Sequence, residues 1–321
     1  MNQLSVPNTH VVPVDQHLET IIGDWKSQLS LQVSSGDISQ NTANTYLKGW
    51  NLFWEWNAGS PVDETQILEW KRHLNGSYSS ATVNTWLAGV KAFFGWAVRS
   101  RLLFVDPSIN VKSNNRKGRY KHKRGIISNG DVRKVLDQPN RNTQVGKRDY
   151  AILCLKAYGA LRDIEIHRAE LSHLGEREGV QVLYIIGKGK IDADEFVVIA
   201  HPELKTALHE WLQVHPQGAK PLFPSFSKRS GNKPLSLSFI RRMVKGYINA
   251  AGVKGKPNQP ITSHSFRHSA ITNAIRHGCE LPKVRNFARH GDINTTLGYY
   301  HEIERLENPA EGYIEYDSVG E

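Results

Sequence analysis

Cysteine is nearly absent. Cys154 and Cys279 are the only two in 321 residues, far apart and outside any CxxC pattern. A disulfide framework and a cysteine-based zinc site are therefore not supported, and a reduced, cytoplasmic setting is expected. Long apolar runs are also missing. No stretch approaches the roughly 20 apolar residues that a membrane helix needs. The opening MNQLSVPNTHVVPVDQ has neither a basic start nor an apolar core, so neither a signal peptide nor a membrane partner is expected. No repeat period and no low-complexity tract are visible. Acidic side chains are in deficit: 31 Asp and Glu face 41 Lys and Arg, a formal net charge of +10. That excess points to a polyanionic partner, nucleic acid above all.

What is present is ordinary globular material, with 39% hydrophobic residues in a chain long enough for about two domains of roughly 150 residues. Residues 1–14 are polar and read as a flexible N-terminus. Residues 15–105 read as a helical domain, with apolar stripes at helical spacing. Examples are Leu18, Ile21, Ile22, Trp25 and Leu29, then Ala43, Leu47, Trp50, Phe53 and Trp54. Two more stripes follow, Ile67, Leu68 and Trp70, and then Val83, Leu87, Val90, Phe94 and Ala97. At that spacing the tryptophans are core residues rather than platforms for bases.

Residues 106–125 read as a basic linker, because positions 107–130 hold no acidic residue. Its Arg116, Lys117, Arg119, Lys121, Lys123 and Arg124 are expected to neutralise backbone phosphates, the plainer alternative being a solvated tether. The remainder, 126–321, mixes helices (131–136, 147–158, 203–215, 236–251, 264–277 and 282–288) with two strands, 180–186 and 196–199. The expected fold class is mainly α with a small antiparallel sheet.

Four stretches of this second domain concentrate functional groups. Arg162 and Glu165 stand three apart on a helical turn, where a carboxylate can fix a guanidinium fork for bidentate phosphate binding. Lys188 sits between two glycines at the hairpin tip. In His264-Ser265-Phe266-Arg267-His268, Ser263 can cap the helix and bring His264 and Arg267 to one face near its N-terminus. His264 and His268 have the spacing of a zinc pair, but no third ligand is evident and no HExxH motif exists, so no metal is expected. The fourth stretch is Arg289-His290-Gly291-Asp292-Ile293-Asn294-Thr295-Thr296-Leu297-Gly298-Tyr299-Tyr300-His301.

In order and spacing these motifs resemble the tyrosine recombinases, the phage-integrase family, whose last motif sets a histidine nine residues before a nucleophilic tyrosine, as His290 precedes Tyr299. The stretches NTANTYLKGWNLFWEW and SYSSATVNTWLAGVKAFFGWAVRSRLLFVDP are similar to that family's helical core-binding domain. The resemblance covers 15–305. It implies a core-binding domain and a mixed α/β catalytic domain clamped around duplex DNA, and a site-specific recombinase that acts through a 3′-phosphotyrosyl bond and a Holliday junction.

Tyr299 is then the nucleophile, Arg162 and Arg267 hold the non-bridging oxygens, and Glu165 supports Arg162. The resemblance also implies that His264 accepts the phenol proton, His290 bonds the phosphate and Lys188 protonates the leaving 5′-oxygen. Losing one such arginine would cost about 10³–10⁵ in rate by analogy with arginine fingers. Neither ATP nor a metal is required, so no cofactor is expected. The implied partners are double-stranded DNA, a homotetramer on paired sites and accessory DNA-bending proteins, in a cytoplasmic, nucleoid-associated setting. The short N-terminus favours a recombinase acting on core sites alone.

Departures from the family pattern stand out. Ala160 and Arg289 occupy positions where glycine is usual, and GKG is followed by the acidic KIDADEF, which leaves Lys190 as an alternative to Lys188. Tyr300 competes with Tyr299, although one residue turns a helix by about 100°. Residues 300–321 carry seven acidic groups against Arg305, and the resemblance implies that this tail docks on a neighbouring subunit. A type IB topoisomerase-like enzyme and a non-catalytic DNA-binding regulator on the same fold remain as alternatives.

Overall fold

The computed structural model describes residues 18–115, 125–187, 192–227 and 231–307, with Pro309, Gly312 and Ile314. The basic residues from Arg116 to Arg124, the hairpin tip with Lys188 and Lys190, and the N-terminal 14 residues lie outside them. The chain divides into two compact units, residues 1–118 and 119–321.

The first unit consists of four helices: α1 (Leu18–Ser34), α2 (Gln40–Asn57), α3 (Glu64–Asn75) and α4 (Ser80–Arg99). Local chemistry sets where three of them begin. Ser39, Asp63 and Ser79 are extended N-caps whose side chains accept from Thr42, Gln66 and Thr82 amides. The aromatic stripes meet in one core, where Trp25, Trp50, Phe53, Trp70, Phe93 and Phe94 are buried. Trp50 stacks on Phe93 with ring centroids 3.6 Å apart.

α2 and α4 cross through two glycines. A Cβ on Gly49 would collide with the Trp86 carbonyl, and one on Gly89 with the Tyr46 carbonyl. The segment that follows α4, read above from its charge as the start of the linker, is fastened to this unit. Val111 is fully buried in its core, and Asn114 exchanges hydrogen bonds with Asn84 at 2.7 and 2.9 Å.

The second unit contains α5 (Asn129–Leu136), α6 (Gln144–Tyr158), α7 (Asp163–Arg168), β1 (Leu174–Arg177), β2 (Val180–Ile185), β3 (Glu195–Val198), α8 (Pro202–Leu212), α9 (Leu237–Ala250), α10 (Ser265–Arg276), α11 (Leu281–Ala288) and α12 (Ile293–Glu307). The strands form an antiparallel sheet in the order β1-β2-β3, with Leu183 opposite both Leu174 and Val197. β1 was not expected: its sequence, LGER, lacks alternation, and its pairing with β2 makes it a strand. α6 runs through the middle of the unit, and every residue from Arg148 to Lys156 is buried. Around it the sheet, α8, α9 and Phe266 of α10 share one core. A smaller core joins α10, α11 and α12 through Ile271, Ile275, Val284, Ala288 and Tyr299.

Candidate active site

α6 ends at Tyr158, and the chain turns back through Gly159 and Ala160, the latter left-handed at φ 51°. Glycine is the residue that tolerates this conformation. An L-residue there costs about 1–2 kcal/mol. The turn delivers Arg162 to the N-cap of α7, where Glu165, three residues on, closes a double link. Its carboxylate accepts the Arg162 amide at 2.8 Å and the Arg162 Nη1 at 2.6 Å. Burial alone would raise the Glu165 carboxyl. The Arg289 charge, the Arg162 amide and the Arg162 guanidinium outweigh it and hold Glu165 below the usual carboxylate range.

Arg267, on the first turn of α10, is buried. It donates from Nη1 to the Ala160 carbonyl at 2.7 Å and from Nη2 to the Ala288 carbonyl. It thus ties α10 to the turn before α7 and to the end of α11. Ser263 does not cap α10 as expected. Its hydroxyl donates instead to Asp163 Oδ1 at 2.6 Å, and that carboxylate also accepts the fully buried Lys156 ammonium at 2.6 Å. His264 takes the N-cap position in helical conformation, with no side-chain cap bond. The Asp163 carboxylate orients the Ser263 hydroxyl, and His264 rather than Ser263 stands at the N-cap.

Tyr299, on α12, is only 4% exposed. Its hydroxyl is hydrogen-bonded to His268 Nδ1 at 2.5 Å. The side chain that meets the phenol oxygen is thus His268, a residue given no role from sequence. The His264 ring meets that of His268 edge-on, with centroids 4.8 Å apart. The His290 ring lies nearly parallel to the phenol with centroids 6.1 Å apart, and its Nδ1 pairs with Thr296 Oγ1 at 3.0 Å. Tyr300 packs against the same α10–α11–α12 core and lines a pocket with Cys279 and Ile303.

Arg289, singled out from the sequence only as a departure from glycine, has contacts that give it a place in the site. It sits in the left-handed region at φ 51° as the C-cap of α11, and its side chain is 4% exposed. Nη2 donates to Glu165 Oε2 and to the Ala160 carbonyl, both at 3.0 Å, and Nη1 to the Phe287 carbonyl at 2.8 Å. Its own carbonyl accepts from Arg162 Nη2 at 3.2 Å. The one signal in the sequence was an arginine where a glycine is usual.

Arg162 and Arg289 thus share the Glu165 carboxylate, and Arg267 shares the Ala160 carbonyl with Arg289. Burial first, then the charges of Arg162 and Arg289, pull the Arg267 guanidinium down to about 9, and Tyr299 lies near enough to act on it in the opposite direction. A surplus of buried positive charge beside a hydroxyl is a receptor for an oxyanion. Among the described residues, no three His, Cys, Asp or Glu side chains gather as a metal-binding group. No described helix is long and apolar enough to cross a membrane.

A tyrosine enclosed by arginines and histidines, on a helical body with a small antiparallel sheet, defines a tyrosine-type DNA strand transferase. Comparison with known proteins agrees. The phage integrase family model matches residues 126–305. A tyrosine recombinase of Synechococcus elongatus is 35% identical over 170 residues, and the match takes in 52% of this chain and 51% of that protein. The tyrosine recombinase XerD of Pseudomonas putida is 27% identical over 277 residues, covering 82% of this chain and 87% of XerD. Among solved structures, XerH bound to palindromic difH substrate in a post-cleavage complex superposes with a TM-score of 0.71 at 20% identity, over 97% of this chain and 92% of that one. The chain belongs to the phage integrase family and is a tyrosine recombinase.

Proposed function

We propose that this protein is a site-specific recombinase that cleaves and rejoins duplex DNA through Tyr299, exchanging strands by way of a Holliday junction. The Tyr299 oxygen attacks the scissile phosphorus, and the phenol proton passes to His268. An O–P bond forms as a 3′-phosphotyrosine while the P–O5′ bond breaks. The departing oxygen takes its proton from Lys188, which lies outside the described residues. Arg162 and Arg267 compensate the charge that grows on the non-bridging oxygens, and His290 bonds the same phosphate. The covalent link retains the energy of the phosphodiester, so a 5′-hydroxyl reverses the step without a nucleotide cofactor.

One observation carries this reading: the Tyr299 hydroxyl is bonded to His268, the chain neighbour of Arg267, while Arg162 and Arg289 share the Glu165 carboxylate. Further support comes from related structures that hold DNA, including a lambda integrase tetramer on a Holliday junction. By the same reading the protein works as a homotetramer on paired sites, with accessory DNA-bending proteins. The helical unit and the basic residues Arg116, Lys117, Arg119, Lys121, Lys123 and Arg124 supply backbone contacts.

A nicked suicide substrate carrying the target site, resolved on a denaturing gel, tests the chemistry. A covalent adduct that disappears in Tyr299→Phe and persists in Tyr300→Phe supports the reading, and the reverse pattern refutes it. Relaxation of a supercoiled plasmid lacking any target site would replace the recombinase with a topoisomerase.

A further inference from the structure

Arg289 is held in a conformation that disfavours its side chain, and that side chain is buried with most of its donors engaged. Neither feature helps α11 to end, since a glycine would end it with less strain. What the arginine side chain adds is a pair of links that no smaller residue makes, to Glu165 and to the Ala160 carbonyl, and each runs to a group that also holds another guanidinium.

The first link is to Glu165. That carboxylate is fully buried and divides its oxygens, Oε1 to Arg162 Nη1 and Oε2 to Arg289 Nη2 and the Arg162 amide. With Arg289 in place, Glu165 cannot rotate without breaking a charged bond on its far side. The second link is to the Ala160 carbonyl, which accepts from Arg289 at 3.0 Å and from Arg267 at 2.7 Å. Beside these side-chain links, the main-chain carbonyl of residue 289, which a glycine would also present, receives the other prong of Arg162 at 3.2 Å. One residue therefore grips Arg162 from two sides and shares an anchor with Arg267. The turn at 159–160 and the end of α11, some 130 residues apart, are joined through it.

We propose that Arg289 is a positioning residue: through Glu165 and the Ala160 carbonyl it holds Arg162 and Arg267 at one separation and orientation, the geometry in which both reach the oxygens of a single phosphate. The inference rests on the proposed role of those two arginines as the phosphate clamp. It assigns Arg289 no contact with DNA, because its guanidinium is enclosed and both Nη groups are committed to protein acceptors. Lysine would not replace it. An ammonium lacks the planar fork that serves Glu165, Ala160 and Phe287 together.

The experiment compares single-turnover cleavage of two suicide substrates, one with a normal scissile phosphate and one with an uncharged methylphosphonate there. The wild type, Arg289→Gly, Arg289→Lys and Arg162→Ala are run side by side, with DNA affinity and melting temperature measured for each. A misplacement of the clamp on the order of 1 Å is worth roughly 100-fold in rate. Arg289→Gly is expected to cleave the phosphate about 100-fold more slowly with DNA affinity near wild type, and Arg289→Lys to recover little of the loss. Assays are run below the melting transition of each variant, because losing one partner of a buried ion pair lowers it. On the methylphosphonate, whose oxygens demand less positive charge, the deficits of Arg289→Gly and Arg162→Ala should shrink together. Millimolar guanidinium ion should restore part of the rate to Arg289→Gly.

Equal deficits on the two substrates, or cleavage by Arg289→Gly within about 3-fold of wild type on the phosphate, overturn the proposal. If the wild type itself forms no adduct dependent on Tyr299, the strand-transfer reading falls, an outcome distinct from normal wild-type cleavage with an unaffected glycine variant.

Discussion

The crossing of α2 and α4 offers a sharp quantitative test. Placing a methyl on Gly49 drives it into the backbone of Trp86, 2.9 Å from the carbonyl carbon and closer still to the oxygen. A methyl on Gly89 meets the Tyr46 backbone in the same way. The obstacles are helix backbone, so the helices must part rather than a side chain yield. Overpacking of this kind costs up to about 3 kcal/mol, and replacing helical glycine by alanine returns roughly 0.5–1 kcal/mol. Each single variant should lose about 2 kcal/mol. The two collisions lie one helical turn apart in a single crossing, so a second methyl enters a gap the first has opened. Gly49→Ala/Gly89→Ala should then cost little more than either single variant, a coupling of about 2 kcal/mol. Urea titration followed by tryptophan fluorescence reads this unit selectively, since seven of the eight tryptophans precede residue 100. Single variants within about 0.5 kcal/mol of wild type, or a double variant equal to the sum of the two, would refute the close crossing.

Two further predictions concern the second unit. Replacing His268 by Asn removes the acceptor of the Tyr299 proton and should slow adduct formation by roughly 10²–10⁴-fold, the usual worth of a general base. Adduct formation at the wild-type rate in that variant would return the role to His264. Glu203 accepts from Arg133, Tyr150 and Tyr158 at 2.8, 2.5 and 2.6 Å. Burial alone would raise its carboxyl, but those bonds prevail and hold it at about 2 against an ordinary 4.5. A carboxyl lower in the folded state adds stability that is complete above pH 4.5 and disappears as pH falls toward 2. Because the group is partly solvated, about 1–2 kcal/mol is expected. Melting curves between pH 6 and 2.5 should fall less steeply for Glu203→Gln than for wild type, and parallel curves would contradict the assignment.

Much of this architecture is legible in the chain because the decisive contacts are local. The i,i+3 pairing of Arg162 with Glu165 and the helical spacing of Trp25, Trp50 and Phe94 are properties of short windows. What escaped depends on partners distant in sequence. β1 is a strand only because β2 lies beside it. The hydroxyl of Ser263 is claimed by a carboxylate 100 residues earlier. The segment after α4 looked like linker because charge dominated its composition, whereas one buried side chain, Val111, anchors it. His268 was overshadowed by His264 because spacing alone cannot say which ring faces α12. Arg289 drew notice only as an oddity. Its bonds to Glu165 and Ala160 span 124 and 129 residues, beyond any local pattern.

The ring of Tyr299 is also a structural wedge, seated among Ile271, Ile275, Val284 and Ala288. Under the proposed chemistry, the side chain that breaks DNA helps to fasten its own helix in the resting molecule. Stray phosphates in solution meet a sheathed blade. Baring it forfeits hydrophobic burial, a toll that an extended grip on the double helix is large enough to cover and a passing anion is not.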